Sequence, residues 1–124
     1  ANQDTFVFTD YSTMPSGLPE FIWKEIVPER IKRNSFAHLL AMKNTVNQHV
    51  TRYDTQRLLE HRLLKFPADL VPQPLEILLW ENKIGLLSFA KDEIFGMIIE
   101  SNTIAKQLIN MHQLIWTNVD KLNS

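Results

Sequence analysis

The chain contains no cysteine, which excludes disulfides, thiolate metal sites and cysteine nucleophiles and makes a reducing compartment, the cytoplasm, the expected location. Glycine is nearly as scarce. Gly17, Gly85 and Gly96 are too widely spaced for a Walker or dinucleotide phosphate loop. No uninterrupted apolar run nears the ~20 residues of a membrane helix, and the opening Ala-Asn-Gln-Asp lacks the basic and apolar regions of a secretion signal. A soluble domain with no membrane partner is expected. Because the first residue is Ala rather than Met, upstream residues are expected to be missing. A strong charge of either sign is also lacking: the formal net charge of -1 argues against a dedicated nucleic-acid binder, whose affinity would rest on a basic face.

What is present fits one ordinary domain. The 124 residues are 44% apolar and 22% charged, enough to bury a core without covalent staples. Charge is uneven along the chain. Lys43, Arg52, Arg57, Arg62 and Lys65 face only Asp54 and Glu60, whereas the stretch from Asp69 to Glu100 is acidic apart from Lys83 and Lys91. Solvated faces account for an imbalance of this size.

Periodicity predicts an α+β (α/β) fold with a mixed sheet of about six strands and helices on its faces. The run Phe6-Val7-Phe8-Thr9 reads as a strand, followed by a helix from Leu18 to Arg33 that Pro28 kinks or restarts. The nearly continuous apolar run Ser35 to Met42 reads as a central strand buried on both faces. A helix capped by Asn44 and carrying Val46, Val50 and Tyr53 comes next, then a strand from Leu58 to Leu64 and a proline-rich extended loop from Lys65 to Pro74. Leu75 to Trp80, Lys83 to Phe89 and Ile94 to Ile99 are joined by short turns and predict a three-strand meander. A long C-terminal helix capped by Ser101 or Asn102 closes the chain, with the stripe Ile104, Leu108, Met111, Ile115 and Val119 facing the core.

No catalytic residue is assigned. His38, His49, His61 and His112 form no metal-binding pair, Ser12, Ser16, Ser35 and Ser88 lack the glycines of a nucleophile elbow, and Asp92 and Glu93 sit in a turn. No metal or cofactor is implied. Tyr11, Ser12, Asn44 and Glu76 are polar residues at strand ends or on an otherwise apolar strand, and Trp80 ends a strand beside a turn. These five are the candidate ligand-binding residues.

The segment Leu75-Glu76-Ile77-Leu78-Leu79-Trp80-Glu81-Asn82-Lys83-Ile84-Gly85-Leu86-Leu87-Ser88-Phe89, with Phe95-Gly96-Met97-Ile98-Ile99-Glu100, Ile104-Ala105 and Ile115-Trp116 after it, resembles the effector-side domain of TrmB-like transcriptional regulators. The resemblance spans nearly the whole chain, and its specific part is the C-terminal third. It implies a phospholipase D-like fold, a small-molecule effector, often a sugar, and DNA contact only through an upstream winged helix-turn-helix absent from this sequence. Catalytic phospholipase D domains carry His-x-Lys followed four residues later by Asp, and no such pattern occurs here.

A non-catalytic regulatory domain is therefore expected, acting as a homodimer through its last helix or an exposed sheet edge. Two alternatives accompany it: an interaction module without a ligand, and a phospholipase D-type phosphodiesterase with displaced residues, for which His61 or His38 would be the nucleophile.

Overall fold

A computed structural model describes residues 4–9, 27–43, 51–54, 58–65, 75–90 and 92–124. Chain order is β1 (Thr5–Thr9), α1 (Val27–Lys32), β2 (Ala37–Lys43), β3 (Thr51–Asp54), β4 (Leu59–Lys65), β5 (Leu75–Trp80), β6 (Lys83–Ala90), β7 (Glu93–Glu100), α2 (Asn102–Thr117) and α3 (Val119–Asn123). The strands form one mixed sheet in the order β3-β4-β2-β1-β5-β6-β7. β1, β2 and β4 run parallel, while β3 is antiparallel to β4, and β5, β6 and β7 alternate in direction from β1 outward. The fold is thus α+β.

Among the described residues there are seven strands rather than six, because Thr51–Asp54 is extended. The helix expected across Val46, Val50 and Tyr53 fails at that point: Tyr53 lies opposite Glu60 in an antiparallel ladder with β4. Thr and Tyr favour a pleated surface, and a waiting edge decides the matter. Residues 44–50 of that expected helix, Leu18 to Ile26 of the first one and Phe66 to Pro74 of the expected loop lie outside the described residues.

The meander follows from its turns. Glu81, at φ 53, takes the left-handed conformation that lets a two-residue hairpin join β5 to β6. Asn82 O then accepts from Ser101 N at 2.8 Å, which fixes the end of β7 beside that hairpin. Ser101 caps α2, its Oγ accepting from Ile104 N at 3.2 Å.

Helix α2 lies over β1, β5 and β6, and α3 packs on β4. Its buried line is Ala105, His112 and Trp116, continued by Val119 in α3. Of the expected stripe, Leu108, Ile115 and Val119 join the core, whereas Ile104 and Met111 are 48% and 47% exposed. The difference has a simple cause. Counting only aliphatic residues leaves out a buried histidine and an alanine, and those two mark the face in contact with the sheet.

Two clusters make the core on this side. Leu40, Trp116 and Val119 gather Phe8, Leu64 and Ile115 around them, and Leu79, Ile84 and Ala105 gather Phe6, Ile77, Leu86, Ile99, Leu108 and Ile109. Residues pointing to the opposite face, among them Val7, Ala37 and Ala41, are buried too. The central strands are thus covered on both faces, as their unbroken apolar sequences require.

Side chains also cap the ends of these elements. Arg62 donates to Trp116 O at 2.8 Å and to Glu60 at 2.8 Å, and its guanidinium lies 4.4 Å from the Trp116 ring centre. A cation is thereby held at the C-terminus of α2, where the helix dipole favours it. Asn123 accepts from Lys65 N and donates to Leu63 O, both at 2.8 Å. Since β3 pairs with β4 only as far as Arg62, this one amide satisfies the stretch of β4 edge that β3 leaves uncovered.

Candidate functional site

Two places in the sheet hold ionisable groups in unusual states, one on each face. Beneath α2, Phe6 and Phe8 project from β1 and meet the His112 ring edge-on at 5.4 and 5.0 Å, while Trp116 stacks on it at 5.5 Å. His112 is completely buried, and its Nε2 donates to Val7 O at 3.2 Å. Burial holds this imidazole down at about 4, partly offset by the bond to Val7. His112 is a neutral structural ring.

His38 sits at the rim of the same cluster. It stacks on Phe6 at 5.0 Å, touches Trp116 edge-on, and bonds Asp4 through Nε2 at 3.0 Å, leaving Nδ1 buried. A histidine that attacks substrate needs one nitrogen facing it. Here the outward nitrogen is engaged by Asp4 and the other points into protein.

The second place is the carboxyl end of the parallel strands. Thr9 is the last residue of β1, and Glu76, near the start of antiparallel β5, is the next position after the Phe8↔Ile77 pair. Both are buried on the face opposite α2, Thr9 at 1% and Glu76 at 6% exposure, with the Thr9 side chain beside the Glu76 carboxyl. Burial pushes Glu76 up to about 7, with the Thr9 side chain pulling the other way. This carboxyl changes charge at neutral pH.

The topology gives that corner a further property. From β1 the chain proceeds to β2 and β4 on one side, then returns to β5 on the other. Open parallel sheets hold ligands at such a switch point, in the crevice beyond the carboxyl ends of their strands; here β5 is antiparallel to β1, so it is the start of β5 that meets the end of β1. Thr9 and Glu76 stand on the two strands that flank it.

Of the sequence candidates, Glu76 is thus at the corner, and Tyr11, Ser12 and Asn44 lie outside the described residues. Trp80 is not brought there. It pairs with Thr5 at the far end of β5, about 13 Å along the strand from Glu76. Its ring instead lies over Gly85, where an added Cβ would come within 3.1 Å of Cζ3. Thr9 was missed because it reads as an ordinary β-former, and only the strand order shows that it faces Glu76.

One shallow hollow of about 130 Å³ is lined by Arg62, Trp116, Thr117, Val119 and Asp120. Its only guanidinium is already committed to Glu60 and the end of α2. Among the described residues, no group of three or more His, Asp or Glu could hold a metal ion, and no helix is long and apolar enough to cross a membrane. No protein-family model matches this chain, and no curated protein or solved structure matches it either.

Proposed function

We propose that the chain is a non-catalytic regulatory domain that binds a small polar ligand at the Thr9–Glu76 corner, in the manner of the effector-side domain of TrmB-like transcriptional regulators with a phospholipase D-like sheet. The observation that carries this reading is the buried carboxyl on a strand flanking the switch point, poised at about 7. When protonated, it donates one hydrogen bond and accepts another, which suits a ligand hydroxyl; when ionised, it suits an ammonium group. A ligand that fixes either form shifts the proton balance of the domain and so selects among its conformations. The residues shared with TrmB-like domains lie mainly in β5, β6, β7 and α2, and β5 supplies Glu76 itself.

Ligand-observed NMR with a panel of small polyols and amines tests this reading. Binding of at least one class by the wild-type chain, lost in Glu76→Gln, is expected. Binding that survives Glu76→Gln unchanged would remove the corner from the site, and a panel without any binder would favour the alternative of an interaction module without a ligand. Reaction chemistry at His38 is disfavoured by its contact with Asp4; phosphodiesterase turnover abolished by His38→Ala would restore it.

A further inference from the structure

Strand β7 ends the sheet, and its eight residues, Glu93-Ile94-Phe95-Gly96-Met97-Ile98-Ile99-Glu100, include no Pro, Lys or Arg. Those residues and bulges are the usual means of keeping an edge strand from pairing with another chain. β7 keeps an unbroken one-to-one register with β6 and so has no bulge. Its apolar side chains are exposed on both faces: Phe95 at 45%, Met97 at 49% and Ile98 at 67%.

Which of its backbone groups point away from β6 follows from one bond. Ser101 N donates to Asn82 O at 2.8 Å, and these residues continue the β6–β7 register, so Ser101 is a hydrogen-bonded position toward β6. Such positions alternate along an antiparallel ladder. Ile99, Met97 and Phe95 therefore also bond toward β6, whereas Glu100, Ile98, Gly96 and Ile94 direct N–H and C=O outward.

From this geometry we infer that β7 pairs antiparallel with β7 of a second copy, about a two-fold axis passing through Met97 perpendicular to the sheet. Such an axis leaves the α2 face as the α2 face, so even positions oppose even ones and odd oppose odd. Glu93 therefore never lies opposite Glu100. With the axis at Met97, Ile94 opposes Glu100 and Gly96 opposes Ile98, and all four are positions whose backbone groups point outward. Phe95 opposes Ile99, a favourable aromatic and β-branched pair. Moving the axis to Gly96 would set Asp92 against Glu100, and moving it to Ile98 would shorten the ladder. Glu100 is further neutralised by Lys83, whose Nζ lies 3.6 Å away.

Charge and register thus favour the strand's own copy, and the exposed apolar side chains agree. Phe95 and Met97 on the α2 face and Ile98 on the opposite face leave apolar side chains exposed along both sides of this edge. The pairing is independent of the ligand reading and would form with the Thr9–Glu76 corner empty.

Sedimentation equilibrium on the whole chain, with Ile98→Lys and Met97→Cys variants, tests this pairing. The wild type is expected to be a dimer at micromolar concentration. Ile98→Lys, at a position that faces away from the α2 core, should raise the dissociation constant about thirtyfold or more with an unchanged circular dichroism spectrum. Since the sequence has no cysteine, Met97→Cys supplies a single thiol on the axis, in a pair with Cα atoms ~4.5 Å apart, within disulfide reach. It should oxidise to a covalent dimer, whereas Ile31→Cys, exposed elsewhere, should not. A monomeric wild type, a dimer indifferent to Ile98→Lys, or a dimer in which Met97→Cys fails to cross-link would each overturn the inference.

Discussion

The two faces of this sheet bury ionisable groups in opposite senses. Under α2, His112 is an imidazole deprived of its proton, at about 4; across the sheet, Glu76 is a carboxyl that keeps its proton, at about 7. Desolvation drives both, since burial favours the neutral form of either group. Their settings differ. His112 is enclosed by Phe6, Phe8 and Trp116 beneath a capped helix, which suits a permanent packing element. Glu76 lies at the end of a strand beside the switch point, with the Thr9 side chain beside its carboxyl, which suits a group meant to respond.

The largest effect expected from breaking this comparison is His112→Ala. Removing a fully buried ring from an aromatic cluster costs about 3 kcal/mol or more, measurable by urea unfolding. A loss under about 1 kcal/mol would mean that α2 is not organised around this ring.

The pH dependence of stability is next, and its two contributions oppose one another. Unfolded His112 titrates at the ordinary 6.5 and folded His112 at about 4. Between those values the unfolded chain binds more protons, so stability falls as pH drops from 6.5 to 4. Glu76 titrates at 4.5 when unfolded and about 7 when folded. In its case the folded chain holds the extra proton, so stability falls as pH rises from 4.5 to 7. Each amounts to roughly 3 kcal/mol at full extent. From these two groups the wild type should be nearly flat between pH 4.5 and 6.5. Glu76→Gln should uncover the rise with pH due to His112, and His112→Phe the fall due to Glu76. Urea midpoints measured from pH 4 to 8 decide this; profiles of the two variants with the same slope would sink the opposition.

Smaller effects are expected where neither face is disturbed. Asn123→Ala should cost about 1 kcal/mol and speed hydrogen exchange at the Lys65 amide, which its Oδ1 accepts from. Gly85→Ala pushes a methyl toward the Trp80 ring on the Glu76 face. It should cost about 1 kcal/mol and leave the His112 limb of the pH profile intact.

How legible these features were in the sequence varied with how local their causes are. β5, β6 and β7 were readable to within a residue or two because apolar runs bounded by short turns fix them locally. β3 was not, since Thr51 to Asp54 becomes a strand only by pairing with β4. Along α2, Leu108 and Ile115 were legible as core positions but His112 was not, because it is buried by the aromatic partners it meets and not by its own hydropathy. Glu76 stood out as an acid on an apolar strand, but its partner Thr9 depends on β1 lying beside β5. Strand order is a property of the whole fold, and no local pattern announced it.

The most direct test follows the Glu76 side-chain carboxyl by carbon-13 NMR across its titration, alone and with each member of the polyol and amine panel. The corner reading predicts a midpoint of about 7 that one ligand class moves, upward for a hydroxyl that accepts its proton and downward for an ammonium group that favours the charge. A midpoint at the ordinary 4.5, unmoved by any compound, would contradict it.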